Sequence, residues 1–441
     1  MCFFVLNPAD LGIQIPTVLV PAAHIDPTKW AVIACDQYTS NPEYWAEVRR
    51  QIGDSPSTFD LILPEVYLDD PEVDTKIQQI NARMRTYLAE KILVPLEPGL
   101  ILIDRRTAHV PSRKGLLLAV DLEKYDYRPG TKSLIRPTEE TIADRLPPRI
   151  KIREGALLEV PHIMLLLDDP EQTVIEPLFA HTSDLPLLYD FDLMMNGGHL
   201  TGYHLTDPVL LNRTFQSLTR LITPEFTAAR YGPDEAPLLF AVGDGNHSLA
   251  TAKAIWEKLK QQITDPATLQ DHPARFCLVE VVNLYDEGLI FHPIHRLLFN
   301  IDADQFFGEL QSHLPCRITT DRPEGPDNPE TQYFHFCTAT TTGMVILEQP
   351  GSVLTVGTLQ PFLDAYLRRH PECRIDYIHG DETIKTLGRQ PGNLGLILPP
   401  LNKHDLFKTV IRDGALPRKT FSMGEADEKR FYFEARKIRR D

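Results

Sequence analysis

The feature that most constrains the fold is an apolar run that ends in a double-glycine turn and continues directly into helix-forming residues. Residues 238–242 are wholly apolar, Gly243-Asp244-Gly245-Asn246-His247 follows, and residues 248–260 are rich in good helix formers. Two glycines allow a tight strand-to-helix turn and the close approach of a ligand to bare backbone. Because apolar residues elsewhere also switch between periods of two and about 3.6, the chain is predicted to be an α/β protein with mixed sheets.

The polar residues of this turn suit it to bind an anion. The first turn of a helix offers unpaired N–H groups and the positive end of its dipole. Asn246 or His247 is expected to cap the helix, Lys253 lies about two turns further on, and Asp244 is placed to hold a metal ion or take a hydroxyl proton. The alternative is a structural turn with Asx-type hydrogen bonds. The position at the end of a buried strand, where α/β proteins bind ligands, favours the functional interpretation.

Composition argues against several classes of function. The 45 Lys and Arg against 61 Asp and Glu leave a formal charge of −16, which opposes binding to nucleic acid or to anionic membranes. No stretch approaches the roughly 18 apolar residues of a membrane-spanning helix, and the amino terminus lacks the cationic region of a signal peptide. Six cysteines without a C-x-x-C pair are typical of reduced thiols, so a cytoplasmic location is predicted.

Periodicity and capping residues predict the elements. Helices with recognisable caps are expected at 42–52 after Asn41, at 71–92 after Asp70, and at 208–222 after Asp207. Strands 100–104 and 115–121 are almost wholly apolar, so both of their faces are expected to be covered. Further strands are predicted at 17–20, 30–34, 162–167, 237–242, 276–284, 289–294, 331–337, 343–347, 375–378 and 394–398, and further helices at 358–370 and 402–412.

The segment 125–155 is charged and broken by prolines. Its arginines alternate with acidic residues: Arg128, Arg136, Arg145, Arg149 and Arg153 with Glu139, Glu140, Asp144 and Glu154. A solvated linker is one interpretation, but the length and the arginine–carboxylate combinations favour a functional loop. The Pro/Gly/Asp-rich stretch 321–330 is typical of a boundary or an exposed loop.

Two histidine pairs have spacings that suggest metal ligands. His292 and His295 are three residues apart, and on a strand such residues face opposite sides. One of them, or Arg296, is therefore expected to contact a phosphate or carboxylate while the other is structural. On a strand, His199 and His204 would likewise face opposite sides, so they are interpreted as incidental residues of a glycine-rich turn.

Asp36 follows a short apolar strand and either faces the cleft or makes a helix-capping or turn contact. The basic end FEARKIRR is expected to form a local ion-pair patch, because a few cations in a protein of charge −16 do not make a nucleic-acid arm.

Several motifs, in a fixed order, resemble the domain of unknown function 1015 family. They are the element of residues 243–253, Leu134-Ile135-Arg136-Pro137-Thr138-Glu139-Glu140-Thr141 with Asp144-Arg145, Phe291-His292-Pro293-Ile294-His295-Arg296, Ile375-Asp376-Tyr377-Ile378-His379-Gly380, and Leu416-Pro417-Arg418-Lys419. In this sequence Ser248 stands where an arginine usually follows the histidine, and Thr138 where many members have histidine. The missing positive charge is expected from Lys253 or Arg296.

The wider resemblance is to the ParB/sulfiredoxin-like superfamily, in which such a turn binds nucleotide phosphate and which includes free serine kinases. It implies a ParB-like core at residues 126–300, with α/β portions at 1–125 and 301–441. It also implies a phosphotransferase that uses Mg²⁺ with ATP or ADP on a small hydroxy-amino acid of the serine or phosphoserine type. The alternatives are a nucleotide-binding regulatory protein without turnover and, opposed by the charge, a ParB-like nucleic-acid protein. The oligomeric state is left open.

Candidate roles follow from the needs of phosphoryl transfer, which are positioning and neutralisation of charge. Asp244, Glu139 and His247 are the predicted catalytic residues, with Asp244 or Glu139 as base or magnesium ligand. For Glu139 and Arg136 a surface ion-pair network is an equal alternative. The predicted nucleotide and phosphate contacts are Gly243, Gly245, Asn246, Ser248, Lys253, Arg136, Arg145, Arg153, His295 and Arg296.

Overall fold

The chain forms two compact units that are not contiguous in sequence. The computed structural model describes residues 7–141, 146–320 and 331–440. The first unit comprises Met1–Leu289 and Glu425–Asp441, and the second comprises Ile290–Gly424. The chain therefore leaves the first unit after residue 289 and returns to it at residue 425. The predicted portions 1–125, 126–300 and 301–441 stay a prediction.

The strands of the described residues include both long sheet strands and short pairs. In chain order they are β1 (Ile13–Gln14), β2 (Leu19–Pro21), β3 (Val32–Ile33), β4 (Leu93–Pro95), β5 (Leu100–Arg106), β6 (Arg113–Asp121), β7 (Ile135–Pro137), β8 (Leu158–Glu159), β9 (Met164–Leu167), β10 (Leu187–Asp192), β11 (His199–Leu205), β12 (Phe240–Asp244), β13 (Phe276–Asn283), β14 (Phe291–Phe299), β15 (Cys316–Thr319), β16 (Gln332–Cys337), β17 (Thr342–Leu347), β18 (Arg374–His379), β19 (Asn393–Ile397), β20 (Phe421–Met423), β21 (Phe431–Tyr432) and β22 (Arg436–Lys437).

The helices alternate with these strands. They are α1 (Pro27–Trp30), α2 (Pro42–Ile52), α3 (Val73–Ala89), α4 (Leu146–Glu154), α5 (Pro208–Arg220), α6 (Pro224–Arg230), α7 (Asn246–Lys260), α8 (Pro266–Gln270), α9 (Ala303–His313), α10 (Thr355–Arg369), α11 (Asp381–Gly388) and α12 (Leu406–Arg412). The predicted mixed α/β class is confirmed. Within the described residues, no helix has both the length and the apolar character needed to cross a membrane.

A mixed sheet forms the centre of the first unit. Its strand order is β10-β11-β5-β6-β13-β9-β12-β7, and β1 pairs with β6. The pairs β13–β9 and β12–β7 are parallel, and the other pairs of this sheet are antiparallel. This places β12 between an antiparallel and a parallel neighbour, close to one edge of the sheet.

Both faces of the central sheet are covered, as the apolar strands predict. Leu100 and Leu102 of β5 belong to one buried cluster, and the intervening Ile101 and Ile103 belong to another. Successive side chains of a strand point to opposite faces, so each face of β5 has its own apolar layer.

A short ladder brings the carboxyl-terminal segment back to the first unit. Strand β21 pairs with β3 in antiparallel register, with Tyr432 opposite Val32. The Ala34 N–H donates to the Arg430 carbonyl at 2.9 Å, which extends the ladder by one residue. Residues directly after β3 and directly before β21 are therefore neighbours.

The second unit contains an antiparallel sheet. Its order is β15-β17-β16-β19-β14-β18, and β20 also pairs with β14. Every pair in this sheet is antiparallel. Its own core includes Phe306, Phe334, Leu363 and Leu394, each fully buried.

Side-chain caps set several of the helix starts, and the departures from the predicted bounds described next have local causes. Helices α2 and α5 begin as predicted, because the side chains of Asn41 and Asp207 accept first-turn N–H groups. Helix α3 starts later than predicted, since the Asp70 carboxylate accepts the Glu72 N–H at 2.8 Å and forms a turn first. The predicted strand 30–34 is wrong at its beginning, because Asp26 caps a short helix there and only Val32–Ile33 is strand.

Candidate functional site

The glycine turn between β12 and α7 is a tight corner that only glycine fits. The register of β12 against β9 shifts between Val242 and Asp244, which places Asp244 opposite Met164. Gly245 has φ +81°, and a Cβ at this position would lie 2.9 Å from Ile163 Cγ1. The left-handed backbone and the close approach together require glycine. We call residues 243–248 the corner.

The amino end of α7 has no side-chain cap among the described residues, although polar residues precede it. The Asp244 Oδ1 accepts the Gly245 N–H at 2.9 Å. The Asn246 amide turns back and donates weakly to Thr138 Oγ1 and the Val242 carbonyl, at 3.5 and 3.4 Å. Its Oδ1 is buried without a hydrogen-bond partner. The expected cap by Asn246 is therefore not formed.

Lys429 supplies a positive charge to the corner. Its Nζ lies 3.2 Å from Asp244 Oδ2, with exposed side-chain fractions of 12% and 26% for the two residues. Burial by itself raises the pKa of Asp244, but the charges of Lys429 and His162 outweigh it, so the pKa is lowered overall. Asp244 is thus held ionised beside a cation.

His162 connects the corner to the carboxyl-terminal segment. Its Nε2 lies 2.9 Å from Ser248 Oγ, and its Nδ1 lies 2.9 Å from Tyr432 Oη. Asp36 Oδ2 is 3.9 Å from the same Nε2. His162 lies two residues before β9 begins at Met164, so the antiparallel β9–β12 pairing sets its position beside the corner.

Tyr432 is fixed on its other side by β3. The Cys35 N–H donates to Tyr432 Oη at 3.1 Å. Burial is the main cause that raises the pKa of Tyr432 and of the Cys35 thiol, with further contributions from nearby Asp36. Both groups are therefore neutral at physiological pH, and Tyr432 acts as a hydrogen-bonding phenol.

Glu65 and Arg149 complete the group. The Arg149 guanidinium donates to Glu65 Oε1, and the Glu65 N–H donates to the Cys35 carbonyl at 2.8 Å. Burial raises the pKa of Glu65, Arg149 opposes this, and Asp36 adds to it. We call the whole set the corner cluster: Asp36, Glu65, Arg149, His162, Asp244, Ser248, Lys429 and Tyr432.

The corner cluster combines the components of an anion site and of proton transfer. An uncapped helix end and a lysine attract phosphate, and carboxylates beside an imidazole can accept or hold a proton. In the described chain, no three carboxylate or imidazole ligand atoms of this cluster lie within 4.8 Å of one another. A magnesium ion here would need phosphate oxygens as well as protein carboxylates, which is the usual arrangement for Mg²⁺ with nucleotides.

Among the predicted site residues, the corner brings six together and Glu139 lies at the same edge of the sheet. Gly243, Asp244, Gly245, Asn246, His247 and Ser248 are contiguous, and His247 and Ser248 are partly exposed on the first turn of α7. Strand β7 runs parallel to β12 with Pro137 opposite Val242. Glu139 and Asp244 are each two residues beyond this pair, and Glu139 is partly exposed.

Lys253 and two of the predicted arginines make hydrogen bonds or ion pairs with other parts of the chain, and their predicted phosphate contacts stay predictions. Lys253 Nζ donates to the Leu122 carbonyl at 2.9 Å. Arg136 donates to the carbonyls of Ser133, Ala236 and Pro237, and is buried. Arg153 pairs with the buried Glu159 at 2.5 Å. Arg145 lies outside the described residues.

His295 and Arg296 belong to the second unit. Both are fully buried. The His295 ring accepts the Leu398 N–H through Nδ1 at 3.2 Å, and its Nε2 lies 3.0 Å from Asp381 Oδ1. Arg296 donates to the carbonyls of Ile294, Arg418 and Lys419 and to Gln360 Oε1. These bonds give both side chains a structural role within that unit, and their predicted contact with phosphate stays a prediction.

Sequence reasoning missed Lys429, His162 and Tyr432. One local feature of the sequence could have indicated His162: it directly precedes an apolar strand, and Asp244 directly follows another apolar strand. Lys429 and Tyr432 precede the basic end FEARKIRR and belong to none of the recognised motifs. The pairing of β21 with β3 brings them to the corner.

Comparisons with known proteins give one strong and several distant similarities. The profile of the family described as "Protein of unknown function (DUF1015)" matches residues 19–366, more than half of the chain. No curated protein matches the chain.

The solved structures similar to this chain are distant. One is a conserved hypothetical protein from Pyrococcus furiosus, with 11% identity and a TM-score of 0.38, covering 73% of this chain and 95% of that one. SbnI with a carboxyl-terminal truncation from Staphylococcus aureus has 12% identity and a TM-score of 0.36, covering 70% and 83%. Free serine kinase in complex with AMP has 10% identity and a TM-score of 0.38, covering 73% and 92%. Similarity at this level assigns neither a fold nor a function.

Proposed function

Because this chain belongs to the DUF1015 family, whose name assigns no activity, we propose its function from the corner cluster: a nucleotide-dependent phosphotransferase that acts on a small hydroxy-amino acid. The substrate class, serine or phosphoserine, rests on the motif resemblance given by residues 134–145 and 243–253. The proposal includes a ParB/sulfiredoxin-like core at 126–300.

One observation carries this proposal: no side chain of the described residues caps the first turn of α7, and a lysine lies beside this turn. The Asp244 and Asn246 side chains, which would ordinarily cap such a helix, are turned to other partners. Lys429 is 3.2 Å from Asp244 and only 12% exposed. Backbone N–H groups, the helix dipole and a fixed cation in one corner suit the phosphates of a nucleotide.

The surrounding carboxylates suit the transfer step. Phosphoryl transfer needs a carboxylate that orients the attacking hydroxyl and accepts its proton. Asp244 and Glu139 lie at the same end of the β12–β7 pair, where two strands run parallel. We assign Asp244 to hold magnesium together with nucleotide phosphates, and Glu139 to orient the hydroxyl of the acceptor.

The carboxylate of Asp244 suits a magnesium ion whose other ligands are nucleotide phosphates. Asp244 is held ionised and partly exposed, and a hard cation prefers such an oxygen ligand. Bound there, Mg²⁺ would neutralise charge on the transferred phosphoryl group. The protein's own task would be to position the two substrates.

A second function is favoured by one specific observation. Ser248 stands where the family resemblance places an arginine, and arginine is the better phosphate ligand. A nucleotide-binding regulatory protein without turnover would need the uncapped helix and Lys429 but neither Glu139 nor Asp244 as a base.

Phosphorus NMR separates the two functions. The full chain is incubated with Mg²⁺, ATP or ADP, and serine or phosphoserine, and the exchange of phosphate between them is followed. Transfer that is lost in Asp244→Ala and Glu139→Ala, with both variants folded, supports the enzyme. Saturable nucleotide binding without transfer to a broad panel of metabolites supports the regulatory protein. Full turnover in both variants would contradict the assigned roles.

A further inference from the structure

Ser248 and His162 are members of the corner cluster to which the proposed function gives no chemical task. Ser248 lies on the first turn of α7 and is partly exposed. Its Oγ is 2.9 Å from His162 Nε2. A hydroxyl in hydrogen-bonding contact with an imidazole that a third group orients is the general arrangement of an activated nucleophile.

Tyr432 is the third group. Its Oη accepts the Cys35 N–H at 3.1 Å and lies 2.9 Å from His162 Nδ1. The phenol oxygen has two lone pairs, so beside the Cys35 N–H it can also accept a proton from Nδ1. In the tautomer with its proton on Nδ1, the Nε2 lone pair faces Ser248 Oγ.

Ser248 is positioned to attack a phosphoryl group as its electrophile. Ser248 belongs to the same uncapped first turn that carries the anion site, and Lys429 neutralises charge at that turn. A phosphate held by the first-turn N–H groups is within reach of a side chain from that turn.

We propose that Ser248 is a nucleophile that takes a phosphoryl group from a nucleoside triphosphate, with His162 as its general base. This inference rests on the proposed function. It adds a covalent phosphoserine step, so that the transfer to the acceptor occurs in two displacements.

The atoms balance in each displacement. In the first, Ser248 Oγ forms a bond to the terminal phosphorus, the bridging P–O bond breaks, and its electron pair leaves with the nucleoside diphosphate. The Ser248 proton moves to His162 Nε2, and Asp36, 3.9 Å away, stabilises the imidazolium that forms. In the second, the acceptor hydroxyl displaces Ser248 Oγ from phosphorus and its proton passes to Glu139 and then to water, while His162 returns its own proton to Oγ.

The experiment omits the acceptor so that the covalent form accumulates. The full chain is incubated with Mg²⁺ and ATP carrying a radioactive terminal phosphate, and the labelled peptide is identified by mass spectrometry. We expect one phosphoryl group on Ser248 and none in Ser248→Ala. His162→Gln keeps a hydrogen-bonding side chain but not the base, and is expected to slow labelling about a hundredfold. Ser248→Thr keeps the hydroxyl and is expected to restore part of the labelling.

Ser217→Ala is the matched control. Ser217 is also a partly exposed helical serine of the first unit, on α5, and its replacement should leave labelling unchanged. Nucleotide binding is measured by calorimetry in every variant.

Three outcomes separate the two proposals. Binding with label on Ser248 supports both. Binding and transfer to the acceptor with no label, and with Ser248→Ala as active as the native chain, overturns the covalent step and leaves the phosphotransferase intact. Absence of nucleotide binding in the native chain overturns both.

Discussion

Lys429 Nζ lies 3.2 Å from Asp244 Oδ2 and thereby joins the carboxyl-terminal segment to the turn between β12 and α7. The pair combines the cation that a phosphate requires with the carboxylate that a magnesium ion requires. Because Lys429 comes from outside the strand–turn–helix element, that element by itself is only half of the proposed site.

Lys429→Ala is expected to weaken nucleotide binding. The variant removes a charge-assisted contact, and hydrogen bonds to charged groups contribute about 1.5–3 kcal/mol. Calorimetric titration of ATP with Mg²⁺ measures the change. Lys76→Ala is the matched control, because Lys76 forms a partly buried pair with Asp70 at 2.5 Å away from the corner. Equal affinity in the native chain and in Lys429→Ala would refute the anion site.

The contribution of Asp244 to stability is expected to depend on pH with a definite sign. The charges of Lys429 and His162 outweigh the effect of burial and lower the pKa of Asp244 from its usual 3.8. A carboxyl whose folded pKa is below its unfolded value stabilises the fold above the unfolded value and loses that contribution as the pH falls through the folded one.

Urea unfolding of the native chain and of Asp244→Asn, repeated from neutral to acid pH, tests this sign. The difference in unfolding free energy should be constant at neutral pH and should shrink below about pH 4, where unfolded Asp binds its proton. A difference that grows on acidification would mean that the pKa of Asp244 is raised instead.

Gly245→Ala is expected to destabilise the first unit and to abolish nucleotide binding. Its φ of +81° costs an L-residue about 1–2 kcal/mol, and the new Cβ would meet Ile163 Cγ1 at 2.9 Å. Gly130→Ala is the control for backbone strain alone, since Gly130 has φ +76° and nothing within 4 Å of a Cβ. Denaturant unfolding of both variants separates the clash from the strain, and an equal loss in the two would exclude the clash.

Arg430→Met is expected to cost about 3–5 kcal/mol, because it leaves buried carboxylates without their cation. Arg430 donates to Glu280 at 2.7 Å and to Glu434 at 2.8 Å, and to the Pro161 carbonyl at 2.6 Å. Pro161 precedes His162, so the variant should also disturb the His162–Ser248 pair. Thermal unfolding measures the first effect and labelling of Ser248 the second. Arg50→Met, in an exposed pair with Glu47 on α2, should leave the stability nearly unchanged, because solvent screens such a pair.

The parts of the fold that depend on neighbouring residues were predictable from sequence. Asn41 and Asp207 identify the starts of their helices in the sequence, because a capping side chain contacts N–H groups no more than three residues away. The corner was recognisable for the same reason, since strand, glycine turn and helix are contiguous. Its chemistry was predicted less well, because Asn246 turns back to Val242 and leaves the helix uncapped.

The rest of the candidate site depends on contacts distant in sequence. The arginines of the segment 125–155 are of a residue type that binds phosphate. In the structure, Arg136 donates to backbone carbonyls and Arg153 pairs with Glu159. The local sequence pattern does not distinguish an arginine that hydrogen bonds to a backbone carbonyl from one that binds a ligand. Lys429 and Tyr432 reach the corner through a two-residue ladder, β3 with β21, which is too short to predict from periodicity.

The return of residues 425–441 to the first unit has a consequence for biosynthesis. A ribosome delivers residues 1–289 first and must then translate the whole of 290–424 before Lys429 and Tyr432 emerge. Until that moment β3 has no β21 to pair with, and His162 lacks Tyr432. Until then the nascent first unit lacks two members of the corner cluster, so the chemistry that we propose would begin only when translation has passed beyond residue 432.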